Sequence, residues 1–245
     1  MLVCIQACRR GRFCINYFDQ RDDYMINFNR ITVPMVVSEG LIIVMGMMKI
    51  EKKKLTCISI VIMIIIFLAN LLASTEYNVS AIFISGGGNL MDHLGVKKVE
   101  VFENYQFYRL ITYGFTQSSV IHLVVNLAAL WFVGGFFENN VGRIKLVIIF
   151  IIGLIIPGCL LALIYPDGLH YGASPAIFAC IGVLVNWALR EKDLWKTYRE
   201  QTGAGYVVGY FFLGNVIGVA TLVFHLLGFF TGILLGFIIR FKRTN

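Results

Sequence analysis

Apolar residues in this chain arrive in long unbroken blocks. They show neither the strict alternation of a half-buried strand nor the three-four spacing of a surface helix. Four blocks stand out: Leu55–Ala73, about Val120–Phe137, about Leu146–Ile164 and about Tyr171–Leu189. A membrane-crossing helix needs about 20 predominantly apolar residues, so each block predicts one span. After them comes an uncharged stretch of 37 residues, Thr202 to Ile238, too long for one span and just enough for two short ones. A hairpin around Gly214-Asn215 through Gly218 would divide it into spans at about 203–217 and 219–240. Helix-breaking chemistry at Tyr165-Pro166-Asp167-Gly168 separates the third span from the fourth, while a long polar-to-amphipathic loop, Ser74–Ser119, joins the first to the second. The expected fold is all-α: a polytopic membrane protein of six transmembrane helices.

Composition agrees. Hydrophobic residues make up 58% of the chain and charged ones 14%, against roughly 25% charged in a soluble domain. Lipid is therefore the main solvent and the bilayer the first partner. The net charge of +7 suggests nucleic acid only until its placement is considered. From Met48 onward, 13 of 16 Lys and Arg residues fall in clusters at 49–54, 143–145, 190–199 and 240–243, each flanking an apolar block. Alternation of this kind follows the positive-inside rule. It predicts a multi-pass protein of the cell membrane with both termini cytoplasmic. No basic stripe interleaved with aromatics supports a nucleic-acid partner. The six cysteines include no CxxC pair, so neither a disulfide framework nor a zinc site is expected. Residues 1–47 differ in character, with five arginines and no lysine. They read as an N-terminal extension, or an upstream-start artefact, ahead of a membrane domain spanning 48–245.

Strongly polar groups at membrane depth are costly and usually functional. His122 and Asn126 in the second predicted span, Ser174 in the fourth and His225 in the sixth all enter from the outer side. Ser174 would lie about three residues into its helix and His225 about six, roughly 5–10 Å below the outer surface. His122 and Asn126, four apart, share a helix face. His225, Gly228, Gly232 and Gly236 form one stripe, and glycine stripes let membrane helices approach closely. The histidine thus projects toward a neighbouring helix. If that helix is the fourth, its imidazole reaches Ser174, and Phe178, one turn on, packs over it. A serine needs such an adjacent base to become a nucleophile. A lone membrane histidine is more often a packing residue, and a lone serine usually bonds back to its own helix. Periodicity leaves both readings open.

Several motifs resemble the rhomboid family of intramembrane serine proteases, over about Leu55 to Phe241. Tyr108-Arg109 resembles its Trp-Arg motif, and His122-Leu123-Val124-Val125-Asn126 its HxxxN. Gly135-Phe136-Phe137-Glu138 follows in the same helix. Gly172-Ala173-Ser174 resembles the nucleophile motif, and His225-Leu226-Leu227-Gly228 the sixth helix. The resemblance implies a six-helix rhomboid-like bundle with Ser174 as nucleophile and His225 as general base. It implies an oxyanion hole from His122, Asn126 and the Ser174 backbone N–H, and structural roles for Arg109 and Glu138. It further implies cleavage of single-span membrane protein substrates near the outer face, without metal or cofactor. The chain departs from the pattern at Tyr108, at Gln117, where a further histidine is common, and at Pro175, where a glycine is usual. The alternative is a rhomboid-like pseudoprotease that binds membrane clients without cutting them. The sequence specifies neither the client nor an oligomeric state.

Overall fold

The computed structural model describes residues 3–8, 12–17, 53–73, 89–200, 203–216 and 218–239. The basic leader at 49–52, the loop at 74–88 and the cations at 240–243 fall outside them. Chain contacts separate two units, Met1–Lys49 and Ile50–Asn245. Within the first, β1 (Val3–Cys8) and β2 (Arg12–Tyr17) pair antiparallel with Val3 opposite Tyr17 and Cys8 opposite Arg12.

The second unit is helical. Its long elements are α1 (Lys54–Ala73), α4 (Val120–Asn140), α5 (Arg143–Ile164), α6 (Ser174–Arg190), α8 (Ala204–Leu213) and α9 (Val219–Ile238). Short α2 (Asn89–Leu94) and α3 (Arg109–Thr112) lie between α1 and α4, and basic α7 (Lys192–Arg199) follows α6. Four of the described helices, α1, α4, α5 and α9, are long and apolar enough to cross a membrane; α6 and α8 are shorter apolar helices of 17 and 10 residues. The unit is an all-α polytopic membrane bundle. Ile58, Ile65 and Leu72, seven apart on α1, stay exposed as a lipid-facing stripe should, while α6 is buried along almost its whole length.

Two helices begin elsewhere than the apolar blocks suggest. The fourth was expected from 171 but starts at Ser174, because Gly172 adopts a φ of +119°, outside the helical region. Pro175 then fits the first turn, where its missing N–H has no intrahelical acceptor to lose. The fifth covers only 204–213 of the expected 203–217: Gly203 holds φ +93° before it, and Gly214–Asn215 turns the chain after it.

Polar side chains brace the bundle's ends. Buried Glu138 accepts from the backbone N–H groups of Leu55 (3.1 Å) and Thr56 (2.6 Å) and pairs with Arg143 at 3.0 Å. A carboxylate on first-turn donors of α1 also meets the positive end of the helix dipole, worth up to about 2 kcal/mol when partly buried. Arg109, likewise buried, donates to the carbonyls of Asp92 (2.6 Å) and Gly95 (2.8 Å) and to Gln106 Oε1 (2.7 Å). It closes the first loop on itself. A bridge between Val96 and His170 ties that loop to the approach to α6, and burial lowers the pKa of the His170 ring from its usual value. Inside α5, Pro157 interrupts the backbone ladder, and the Tyr113 hydroxyl donates to the nearby Leu154 carbonyl at 2.8 Å.

Candidate active site

The site is built where α6 meets α9. A Cβ added to Gly228 would lie 2.3 Å from the Pro175 carbonyl oxygen, and one added to Gly232 2.0 Å from that of Ala179. Gly182 faces back, its missing Cβ 2.1 Å from the Phe229 carbonyl oxygen. Backbone therefore packs on backbone, and the stripe that begins at His225 is turned toward α6. At the far end, Trp187 Nε1 donates to the Ile239 carbonyl (2.8 Å) and Asn186 Nδ2 to that of Ile233 (3.0 Å).

This packing sets His225 beside the start of α6. Its ring stacks on Phe178, with centroids 4.2 Å apart and planes 12° from parallel. Phe178 is one helical turn beyond Ser174. Both Ser174 and His225 are buried. No hydrogen bond joins the Ser174 hydroxyl to the His225 ring among the described residues. In enzymes such bonds are often long or unformed before substrate binds.

The partners of each histidine settle which ring nitrogen carries the proton. His225 Nδ1 lies 3.0 Å from Asn215 Oδ1. Asn215 Nδ2 donates to the Phe211 carbonyl, which can only accept, so the amide orientation is fixed. The oxygen facing His225 is then an acceptor, Nδ1 must carry the hydrogen, and a neutral ring keeps its lone pair on Nε2. His122 is held the other way. The Ser118 backbone N–H donates to His122 Nδ1 at 3.4 Å, and Ser118 Oγ lies 3.1 Å from the same atom. A nitrogen that accepts has no proton, so Nε2 of His122 is an N–H donor. The two imidazoles thus offer opposite chemistry: one can take a proton, the other can stabilise negative charge.

His122 sits in the first turn of α4, whose start is capped by Ser119 Oγ accepting the His122 backbone N–H at 3.1 Å. Its ring faces the approach to α6. A Cβ on Gly172 would fall 3.1 Å from His122 Nε2 and 3.8 Å from Ser174 Oγ, so these two atoms border the same space. Gly172 is held there by its own N–H, which donates to the Tyr113 carbonyl at 2.9 Å. Asn126, one turn deeper, donates through Nδ2 to Gln117 Oε1 (2.7 Å) and accepts from the Tyr210 hydroxyl (2.8 Å). One Nδ2 hydrogen remains uncommitted among the described residues. Gln117 is buried as well, and its Nε2 has no hydrogen-bond partner among the described residues.

All four residues singled out from sequence, Ser174, His225, His122 and Asn126, thus gather around one end of α6. Sequence reading missed Asn215, Tyr210 and Ser118, and met Gln117 only as a departure from a pattern. The available signal was an amide, Asn215, closing an apolar block; ten residues of sequence and a turn separate it from His225.

A family model described as the Rhomboid domain matches residues 104–242, more than half of the chain and all four of these positions. The chain is 30% identical over 139 residues to RHOMBOID-like protein 7 of Arabidopsis thaliana, covering 55% of this chain and 43% of that protein. It is 29% identical over 148 residues to Rhomboid-like protease 3 of Toxoplasma gondii (58% and 55%). It is also 28% identical over 129 residues to Inactive RHOMBOID-like protein 8 of Arabidopsis thaliana (52% and 36%). The matches thus span about half or less of the length of these relatives.

Proposed function

This chain belongs to the rhomboid family, and on that premise we propose that it is an intramembrane serine endopeptidase acting on single-span membrane proteins near the outer face of the bilayer. Ser174 is the nucleophile and His225 the general base. His225 Nε2 takes the Ser174 proton as Oγ bonds to the scissile carbonyl carbon, then returns it to the leaving amide nitrogen. Water hydrolyses the resulting ester by the same route. His122 Nε2–H, the free Asn126 Nδ2–H and the Ser174 backbone N–H, a first-turn donor without an intrahelical acceptor, stabilise the oxyanion. The observation that carries this reading is that the Nδ1 atoms of the two histidines near Ser174 face opposite partners, an acceptor at His225 and a donor at His122.

Labelling of the full chain by a serine-reactive fluorophosphonate tests it. Wild type should label and cleave a model single-span substrate; Ser174→Ala should do neither. A wild-type protein that neither labels nor cleaves would support instead a pseudoprotease that binds membrane clients, the reading favoured by the likeness to a relative named inactive.

The cation clusters flanking the apolar blocks further support a place in the cell membrane with both termini cytoplasmic. A cysteine at Asp167 should then react with an impermeant reagent applied outside, and one at Lys192 only after permeabilisation. The reverse pattern overturns the orientation.

A further inference from the structure

We infer that Asn215 is a positioning residue that holds His225 in the tautomer able to accept the serine proton. The inference rests on the reading of His225 as general base.

Two contacts hold the imidazole, one from α6 and one from the turn after α8. Phe178 on α6 covers one face at 4.2 Å. The turn after α8 borders its edge: a Cβ on Gly214 would lie 3.6 Å from His225 Cε1. Asn215, the next residue of that turn, supplies the hydrogen bond to Nδ1 at 3.0 Å. Of these, only the amide distinguishes the two ring nitrogens. Stacking fixes the plane of the ring yet would accept either tautomer. Asn215 is itself anchored by donation to the Phe211 carbonyl within the last turn of α8, so its oxygen cannot be exchanged for its nitrogen without losing that bond and setting two oxygens against each other. His122 is the other imidazole at this end of α6. Its accepting Nδ1 leaves it neutral. Among the described residues, no carboxylate takes the orienting place that an aspartate fills in soluble triads.

An amide does part of what a carboxylate does. It selects the tautomer and sets the ring, and it accepts from Nδ1–H equally well once the ring is protonated. It adds no full charge opposite the imidazolium. In an apolar bundle that is an advantage, since a buried carboxylate would have to be desolvated.

The test compares Asn215→Ala and Asn215→Asp in the full chain with wild type and His225→Ala. The readouts are fluorophosphonate labelling rate and substrate cleavage, each across pH. Asn215→Ala should lower kcat and labelling rate about 10- to 100-fold with KM little changed, short of the ~10⁴ that a wrong tautomer costs in a soluble triad. Asn215→Asp should move the acid limb of the profile to higher pH, because a carboxylate beside the ring favours its protonated form. A residue that merely shapes the turn would not move that limb. Wild-type rates in Asn215→Ala together with a wild-type pH profile in Asn215→Asp overturn the inference. Should Asn215→Ala fail to fold, the Asn215→Asp profile decides alone: a shifted limb supports the inference, an unshifted one overturns it. An inactive His225→Ala alongside wild-type behaviour in both Asn215 variants sinks only the role of Asn215. Wild-type labelling in His225→Ala removes the base itself and the inference with it.

Discussion

Replacing His225 by alanine is expected to remove fluorophosphonate labelling and substrate cleavage together, by about 10⁴-fold or more, while His122→Ala keeps labelling and loses only turnover. The asymmetry comes from the protons. His225 presents a lone pair at Nε2 because Asn215 holds its Nδ1–H; without that lone pair nothing takes the Ser174 proton, and the reagent, which needs an activated serine, has none. His122 presents an N–H because Ser118 donates to its other nitrogen. In the proposed mechanism its removal costs one donor to the oxyanion, about 10²–10³ in kcat, and less where Asn126 and the Ser174 N–H share the load. Parallel time courses of labelling and cleavage read the difference. Should His122→Ala lose both while His225→Ala retains either, the roles are exchanged and the pairing of α6 with α9 is not the catalytic one.

The second large effect is expected far from any reacting atom. Gly232→Val adds a branched side chain where even a Cβ would sit 2.0 Å from the Ala179 carbonyl oxygen and 2.8 Å from its Cα. Those are backbone atoms, and α6 must move to make room. Overpacking in a tight core costs about 1–3 kcal/mol and occasionally more. Here it also separates the helix that carries Ser174 from the one that carries His225. Gly232→Val should insert in the membrane, lose activity at least 100-fold and unfold at lower temperature in detergent. Gly209→Ala on α8, where an added Cβ meets nothing within 4 Å, should behave as wild type or slightly better, since alanine is about 0.5–1 kcal/mol more favourable than glycine within a helix. Equal activity in the two variants would show that the close approach of α6 and α9 is not what assembles the site.

The parts of this protein legible in its sequence are those set by periodicity and length. α1, α4, α5 and α9 lie where the apolar blocks do, because hydropathy over about 20 residues senses the bilayer directly. The close approach of α9 to a neighbour was legible because glycines three and four apart lie on one face, and His225 heads that face. Helix limits set by single backbone angles were not. Nothing in the apolar count reveals that Gly172 takes φ +119° and delays α6 to Ser174. The anchoring of Arg109 was equally hidden, for its partners at Asp92 and Gly95 are carbonyl oxygens, which every residue has and no sequence pattern marks. Asn215 combines both difficulties: it lies in a turn, outside any period, and meets its histidine only after the chain has reversed.

One consequence of the ten-residue α8 concerns the lipids rather than the protein. At 1.5 Å per residue it rises about 15 Å, half of the ~30 Å hydrocarbon depth of a typical bilayer, while α5, with 22 residues, can cross it fully. Acyl chains around the bundle therefore meet a belt of unequal height. Beside α8 they must tilt or shorten, an elastic deformation whose cost is a fraction of a kcal/mol for each ångström of mismatch. That cost rises with the thickness of the host membrane, so thinner bilayers are the more comfortable ones for this molecule. The uneven belt makes membrane thickness a physical variable in where the protein accumulates, independent of any partner it meets there.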